Sequence, residues 1–464
     1  MKQDMAGQIV QIQCAWQRQP EAAKLIERYV DECVNKNSFL SNLREDLLTL
    51  TSTRLFDWVD HIEVGYSNEL DSELQIHGFT RELATPLYCT FQHAGAQLPR
   101  IVVKDESHPF LSIGILVESI ADFLMVRGLS TWIEGSPLSL FRRALVSKEN
   151  GVFVYVVERR GTPLMEPTHM KDEELAKIHM AYEKWQTRPR NFDDDEGEED
   201  GLRHAISTAE EIVELVGQAM GATIVLDVER RCWQAKNRAG QLQKNRQDHL
   251  GMGWANHDHH TFRSSRKYFR SLVRLFEILG FHCRERFYAG KEAGWGAQVM
   301  EHPQVRLVLF LDVDLAPDEI NVDFAHHLLG DLPKLGTIGL WCALHGESIL
   351  KGGMHHLEAQ FIFEKLTQDL QAMGVEMMGP FSDFPYLKQA FTHGEIWKVA
   401  PQRVRRLLSQ NYITKEESQR FLVHGALGSH LENLQRHDGY KGFNQKNVNV
   451  IIKKTDPREF TSAA

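Results

Sequence analysis

Asn256-His257-Asp258-His259-His260-Thr261-Phe262-Arg263 packs three histidines and an acid into five positions and then runs into an apolar, β-favouring stretch. The next segment has helical spacing: Tyr268, Leu272, Leu275, Phe276 and Leu279, ended by Gly280-Phe281. A second copy lies downstream. His355-His356 is followed by Phe361, Phe363, Leu366, Leu370 and Met373, then Gly374-Val375. The interval from histidine pair to glycine is 21 residues in the first copy and 19 in the second. Each copy reads as a short strand, one helix and a glycine stop. Strand-like runs come after each stop: His282 to Tyr288, Trp295 to Met300 and Val305 to Val313 in the first copy, a less regular stretch and Gly394 to Val399 in the second. The pattern is βαβββ, twice.

A fainter version stands in the first half. Asp60-His61-Ile62-Glu63-Val64 precedes Gly78-Phe79, and Ile113-Gly114-Ile115-Leu116-Val117 precedes a helix ending near Gly128. The expected class is α+β: paired βαβββ modules forming a curved mixed sheet around a metal cleft, with added helices. The chain divides into an N-terminal helical segment (1–50), an α+β domain of degenerate modules (51–165), an acidic polar linker (166–205), the paired-module domain (206–400) and a C-terminal helical extension and tail (401–464). Within this scheme Ala209 to Met220 reads as a helix, Ala222 to Val228 as a strand, and Asn447 to Lys453 as a last strand. The run Asp193 to Asp200 repels itself and reads as a solvated surface linker.

The 464 residues suffice for two to four domains, at roughly 100–200 residues each. With 42% hydrophobic and 25% charged residues the composition is that of a globular protein. A net charge of -10 argues against a general nucleic-acid binder. Six scattered cysteines without a C-x-x-C pair favour reduced thiols, and the longest apolar runs are too short to span a membrane. The expected compartment is the cytoplasm; the oligomeric state is left open.

Side-by-side modules make a cleft, and strand alternation aims every second side chain into it. Two imidazoles and one carboxylate on one face of a divalent ion leave positions open for substrate and dioxygen. His259, His355 and Glu395 supply such a set. Only one histidine of each pair can face the cleft, so His260, and His356 or His345, stand as alternatives. Arg263, four residues after His259, shares its face. Its guanidinium suits either a substrate carboxylate or a structural salt bridge.

Asp258 to Arg263, then Leu279-Gly280-Phe281, then Glu301-His302-Pro303 before an apolar strand resemble the iron-dependent 2-oxoadipate dioxygenase/decarboxylase family of the vicinal oxygen chelate superfamily. Leu344-His345-Gly346 with the later histidine pair fits the same pattern, and Phe91 to Arg100 is a fainter echo. The resemblance covers roughly residues 255–425. It implies Fe(II), or another divalent ion such as Mn, held by His259, His355 and Glu395, with Arg263 as substrate clamp. It implies oxidative decarboxylation of a small 2-oxo acid by dioxygen to a 2-hydroxy acid. An isomerase or lyase on the same scaffold, and a non-catalytic regulator that keeps the fold, are the competing expectations.

Overall fold

The computed structural model describes residues 15–105, 111–192, 194–443 and 456–458; the strand expected at Asn447 to Lys453 lies outside them. Eighteen strands are described. The first eight are β1 (Val59–Gly65), β2 (Thr80–Ala84), β3 (Tyr88–Gln92), β4 (Arg100–Lys104), β5 (Leu111–Leu116), β6 (Ile133–Glu134), β7 (Phe141–Glu149) and β8 (Val152–Arg159). The rest are β9 (His257–Arg263), β10 (His282–Tyr288), β11 (Trp295–Glu301), β12 (Val308–Asp314), β13 (His356–Ala359), β14 (Ser382–Phe384), β15 (Leu387–Phe391), β16 (Ile396–Trp397), β17 (Ala426–Leu427) and β18 (His430–Arg436).

Two eight-stranded sheets result, in the orders β2-β3-β4-β1-β5-β8-β7-β6 and β10-β11-β12-β9-β13-β18-β15-β14. Each is a pair of βαβββ modules joined through their first strands: β1 runs antiparallel to β5, and β9 antiparallel to β13. The paired modules expected from the sequence are present in the second half, and the first half repeats them.

Alternation sorts the residues of the second sheet. His260, Phe262, Leu309, Leu311, Leu357 and Leu431 face outward, where the apolar ones pack with Leu272 and Phe276 of helix Phe269–Ile278 and Leu366 and Leu370 of helix Phe363–Ala372. The opposite face keeps the polar residues. Phe287, Trp295, Val299 and Val308 line its β10–β12 side, under Ile338 and Trp341 of helix Thr337–His345.

Three expectations fail for identifiable reasons. Ala222 to Val228 is not a strand but the middle of helix Gln218–Gln234. It is buried on nearly every side, so its mostly apolar run has the same signature as a buried strand. The acidic linker is helical: helices Asp172–Thr187 and Asp195–Val216 occupy most of it. Its acids sit at a helix N-terminus, where the dipole favours negative charge, and the buried Glu198 pairs with Arg403. Finally, the closing strand of the last module is β18, not Gly394 to Val399. Helices Pro401–Ser409 and Lys415–His424, bracketed by β16 and β17, are inserted before it.

Candidate metal centre

The strands at the middle of the second sheet set the site. His356-Leu357-Glu358-Ala359 of β13 lies parallel and in register with His430-Leu431-Glu432-Asn433 of β18. Both segments read His-Leu-Glu. Period two sends each leucine into the helix layer and each histidine and glutamate into the cleft. On the other side of β13, β9 contributes His259. One ligand atom each from His259, Glu358 and Glu432 lie within 4.8 Å of one another, and all three residues are buried.

The surroundings of this trio are those of a cation site. His259 Nδ1 lies 3.1 Å from Asp258 Oδ1, and Arg436 Nη2 donates to the same oxygen at 3.1 Å. Burial alone would raise the Asp258 carboxyl, but the Arg436 guanidinium holds it well below the usual range. Burial pushes His259 down to about 4, so the imidazole is neutral at pH 7, with Nε2 3.5 Å from Glu358 Oε1. Glu358 Oε1 accepts from Thr261 Oγ1 at 2.8 Å, while its Oε2 is buried without a partner. Glu432 Oε1 accepts from Gln389 Nε2 at 3.0 Å. Both carboxyls are pushed up, first by burial; Glu432 raises Glu358 further, and the Asp258 charge raises both. Once both glutamates give up their protons, three carboxylates share one guanidinium, a deficit of two positive charges that a divalent ion would fill. A neutral imidazole with its far nitrogen tied to an acid, beside two carboxylates, is a donor set that fits such an ion.

The expected ligands divide. His259 is in the trio. His355 is buried nearby but outside it. Its Nδ1 donates to Gly428 O at 2.8 Å, and Nε2 is left without a partner. It sits in a bend ahead of β13, so strand alternation does not govern it. Both rings of the pair therefore reach His430, with centroids 5.4 Å away in each case. Glu395 is outside the trio. Its carboxylate accepts the backbone N–H of Arg238 at 2.8 Å, capping a free donor at the start of helix Arg238–Asp248. It lies beside β16, in the insertion, because the true closing strand comes later. His260 faces the helix layer against His257, and His345 Nε2 is held at 2.9 Å from Leu427 O.

Arg263 lies on the cleft face, 3% exposed. Its Nε is 3.8 Å from Asp312 Oδ2, too far for a hydrogen bond, and Nε and Nη1 have no partner. Burial lowers it to about 10 and raises Asp312 to about 7. Trp341 lies 5.6 Å under its guanidinium. At the other end of the cleft Phe443 packs on His259 and Phe310, with ring centroids at 4.6 and 4.7 Å.

The first sheet supplies an internal control. Asp60, His61 and Arg159 repeat Asp258, His259 and Arg436: His61 Nδ1 is 2.6 Å from Asp60 Oδ2, which accepts from Arg159 Nη2 at 2.7 Å. The other positions differ. Gly114 stands across from His61 and pairs with Tyr155 on β8, where the second sheet has Glu358 and Glu432. A Cβ at Gly114 would collide with the His61 ring, so the imidazole fills the room a ligand would need. Glu63, on the same face, is neutralised by Lys104 at 3.0 Å.

Fold and site together define an α+β protein of four βαβββ modules, with a buried metal-compatible trio on its second sheet. No protein-family model matches the chain, and no curated protein does. Among solved structures it is similar to a protein of Shewanella frigidimarina described as a hydrolase, at 15% identity over 46% of this chain and 94% of that one, TM-score 0.32. It is similar to a triple mutant of 4-hydroxymandelate synthase from Streptomyces coelicolor, at 10% identity over 88% and 100%, TM-score 0.28. It is also similar to methylmalonyl-CoA epimerase from Mycobacterium tuberculosis, at 11% identity over 39% and 89%, TM-score 0.23. The fold assignment rests on strand order and register alone.

Proposed function

We propose that the protein is a metal-dependent enzyme acting on a small carboxylate substrate, with His259, Glu358 and Glu432 holding a divalent ion and Arg263 receiving the substrate carboxylate. The observation that carries the reading is the buried cluster itself: ligand atoms of His259, Glu358 and Glu432 lie within 4.8 Å of one another, and with both glutamates deprotonated they and Asp258 would face Arg436. With two carboxylates to one imidazole the donors are oxygen-rich, which suits Fe(II) or Mn(II). Such an ion would polarise a bound oxo group and offer a position to dioxygen.

The chain's own groups then divide the work. Arg263 presents unpaired donors for bidentate capture of a carboxylate, and Trp341 holds its plane. His355 Nε2 and His430 Nε2 are unpartnered acceptors, because each Nδ1 is tied to a backbone carbonyl (Gly428 O and Thr392 O). They can accept a hydroxyl proton from a molecule held between Arg263 and the trio. Phe310 and Phe443 against His259, and Trp341 against Arg263, would shield such a molecule from water. The resemblance to the 2-oxoadipate family supports oxidative decarboxylation of a 2-oxo acid as the reaction. The test is metal analysis of protein purified without chelator, followed by oxygen-electrode assays on a panel of 2-oxo acids. The expected result is about one ion per chain and substrate-dependent oxygen uptake lost in H259A. Metal-free protein whose stability ignores added Fe(II) or Mn(II) would overturn the reading. Bound metal with no oxygen uptake would instead favour an isomerase or lyase.

A further inference from the structure

A cavity of about 350 Å³ lies at the junction of the two sheets, apart from the metal trio. Its wall takes in helix Pro20–Lys36, the ends of β5 and β8, helix Gln218–Gln234 and the turn between β11 and β12. Eight arginines and seven acidic residues line it, so by count it is nearly neutral. Pairing removes most of these charges: Glu118 is bound to Arg230 and Lys244 and Asp438 to Arg18, while the exposed Glu27 has no ion pair among the described residues. Arg159 is bound to Asp60, Arg160 to Glu158, Arg54 to Asp57 and Arg230 to Asp227. Arg100 is bound to Glu82 and Arg436 to Asp258, neither of which lines the cavity. Arg306 has no ion pair among the described residues. Its guanidinium donates from Nη2 to Leu98 O, at 3.2 Å.

Arg306 is also held in an unfavourable backbone. Its φ is +59°, in the left-handed region, and its N–H closes the turn onto His302 O at 2.8 Å. A non-glycine residue persists there only when its surroundings over-determine it, and such strain gathers at ligand clamps. Glycine would suit the turn better; arginine adds only a guanidinium in the cavity. Burial and the neighbouring Arg100 lower it to about 10, which leaves it charged at neutral pH.

We propose that this inter-sheet cavity binds a small anion, a carboxylate or phosphate compound, with Arg306 as its charged anchor. The site also touches the metal trio's support. Arg436 lines the cavity and holds Asp258, which holds His259; Gln360 lines it and donates to the other Asp258 oxygen at 3.3 Å. An anion that drew Arg436 toward the cavity would loosen its hold on Asp258 and alter how strongly His259 binds. This coupling rests on the metal reading above; the anion site does not.

The experiment is isothermal titration of chelator-treated protein with inorganic phosphate, pyrophosphate and succinate, repeated on R306G and R274Q. Saturable binding of at least one probe is expected in the wild type, the preferred probe separating phosphate from carboxylate chemistry. R306G should lose about tenfold or more in affinity, the worth of one charge-assisted hydrogen bond, yet unfold at a higher temperature, because glycine relieves the turn. R274Q removes an arginine outside the cavity that is 66% exposed and paired with Glu210, and should bind as the wild type does. No saturable binding of any probe, or equal affinity in R306G, would overturn the anion site. Binding that leaves metal affinity unchanged would overturn the coupling alone.

Discussion

Replacing Glu432 with glutamine tests the centre most sharply, because it moves two quantities in opposite directions. Were both glutamates ionised about 4 Å apart, their repulsion would be about 4 kcal/mol at an effective dielectric constant of about 20. The metal-free protein avoids this by retaining a proton, and both carboxyls are accordingly raised. A raised carboxyl favours folding only at low pH. Its contribution falls as pH climbs from the ordinary carboxyl range to the folded value. Metal-free E432Q should therefore lose less stability between pH 6 and pH 8 than the wild type, and at pH 8 should match or exceed it.

The ion reverses the ranking. At a free concentration of about a hundred times Kd it stabilises the wild type by about 2.7 kcal/mol, a rise in Tm of roughly 5–10 °C for a domain of this size. Loss of one carboxylate ligand at a cost of about a hundredfold in affinity leaves half-saturation at the same concentration, worth about 0.4 kcal/mol. The assay is thermal unfolding by circular dichroism, with chelator and with Mn(II), at both pH values. Calorimetry in two buffers then counts the protons released on binding. An Mn(II)-induced rise as large in E432Q as in the wild type would refute the assignment of Glu432, and no proton release would refute the shared proton.

Three other substitutions probe the surroundings. R263K should raise KM for a carboxylate substrate by about tenfold or more, since lysine cannot form the bidentate contact, with metal content and Tm nearly unchanged; a collapse in Tm would mark Arg263 as structural. Glu347 is raised to about 7 by burial and then by Glu198, against an ordinary value of 4.5. Its stabilising contribution is full below about pH 4.5 and lost as pH rises to about 7, so E347Q should flatten the stability profile in that window by up to about 3 kcal/mol, read from urea unfolding. E395A should cost about 1 kcal/mol through the uncapped Arg238 N–H while leaving metal content intact, measured by elemental analysis.

How much of this stood in the sequence depends on whether the information was local. The histidine pairs, the amphipathic runs and the helix-ending glycines are local, and they yield the modules. His259 and Arg263 follow from the stretch His259 to Arg263 of β9, which runs in unbroken register with β12; an irregularity against β13 just before it puts His257 and His260 on one face. Glu432 is hidden by topology. The insertion between β15 and β18 places a plausible short strand, Ile396–Trp397, where the module's last strand is due, and no periodicity distinguishes an inserted strand from a closing one. The repeated tripeptides His356-Leu357-Glu358 and His430-Leu431-Glu432 were the available signal. Two His-Leu-Glu segments ask to be paired, and in register they place both glutamates together. Glu358 is masked in the sequence by the more conspicuous histidine pair just before it, although it shares the cleft face with His356.

The two sheets explain each other. In both, an arginine at the end of the closing strand holds an aspartate that holds a histidine: Arg159, Asp60 and His61, then Arg436, Asp258 and His259. Keeping that relay costs the first sheet nothing, because Lys104 neutralises Glu63 and a glycine makes room for the ring. The second sheet keeps the relay but puts carboxylates where the first has Gly114 and Tyr155, and puts no lysine beside them. A fold selected for stability alone would not bury Glu358 with an unpartnered oxygen next to Glu432. The difference between two copies of one architecture therefore supports the proposal that the chemistry lies in the second sheet, and the relay they share reads as the support that orients one histidine.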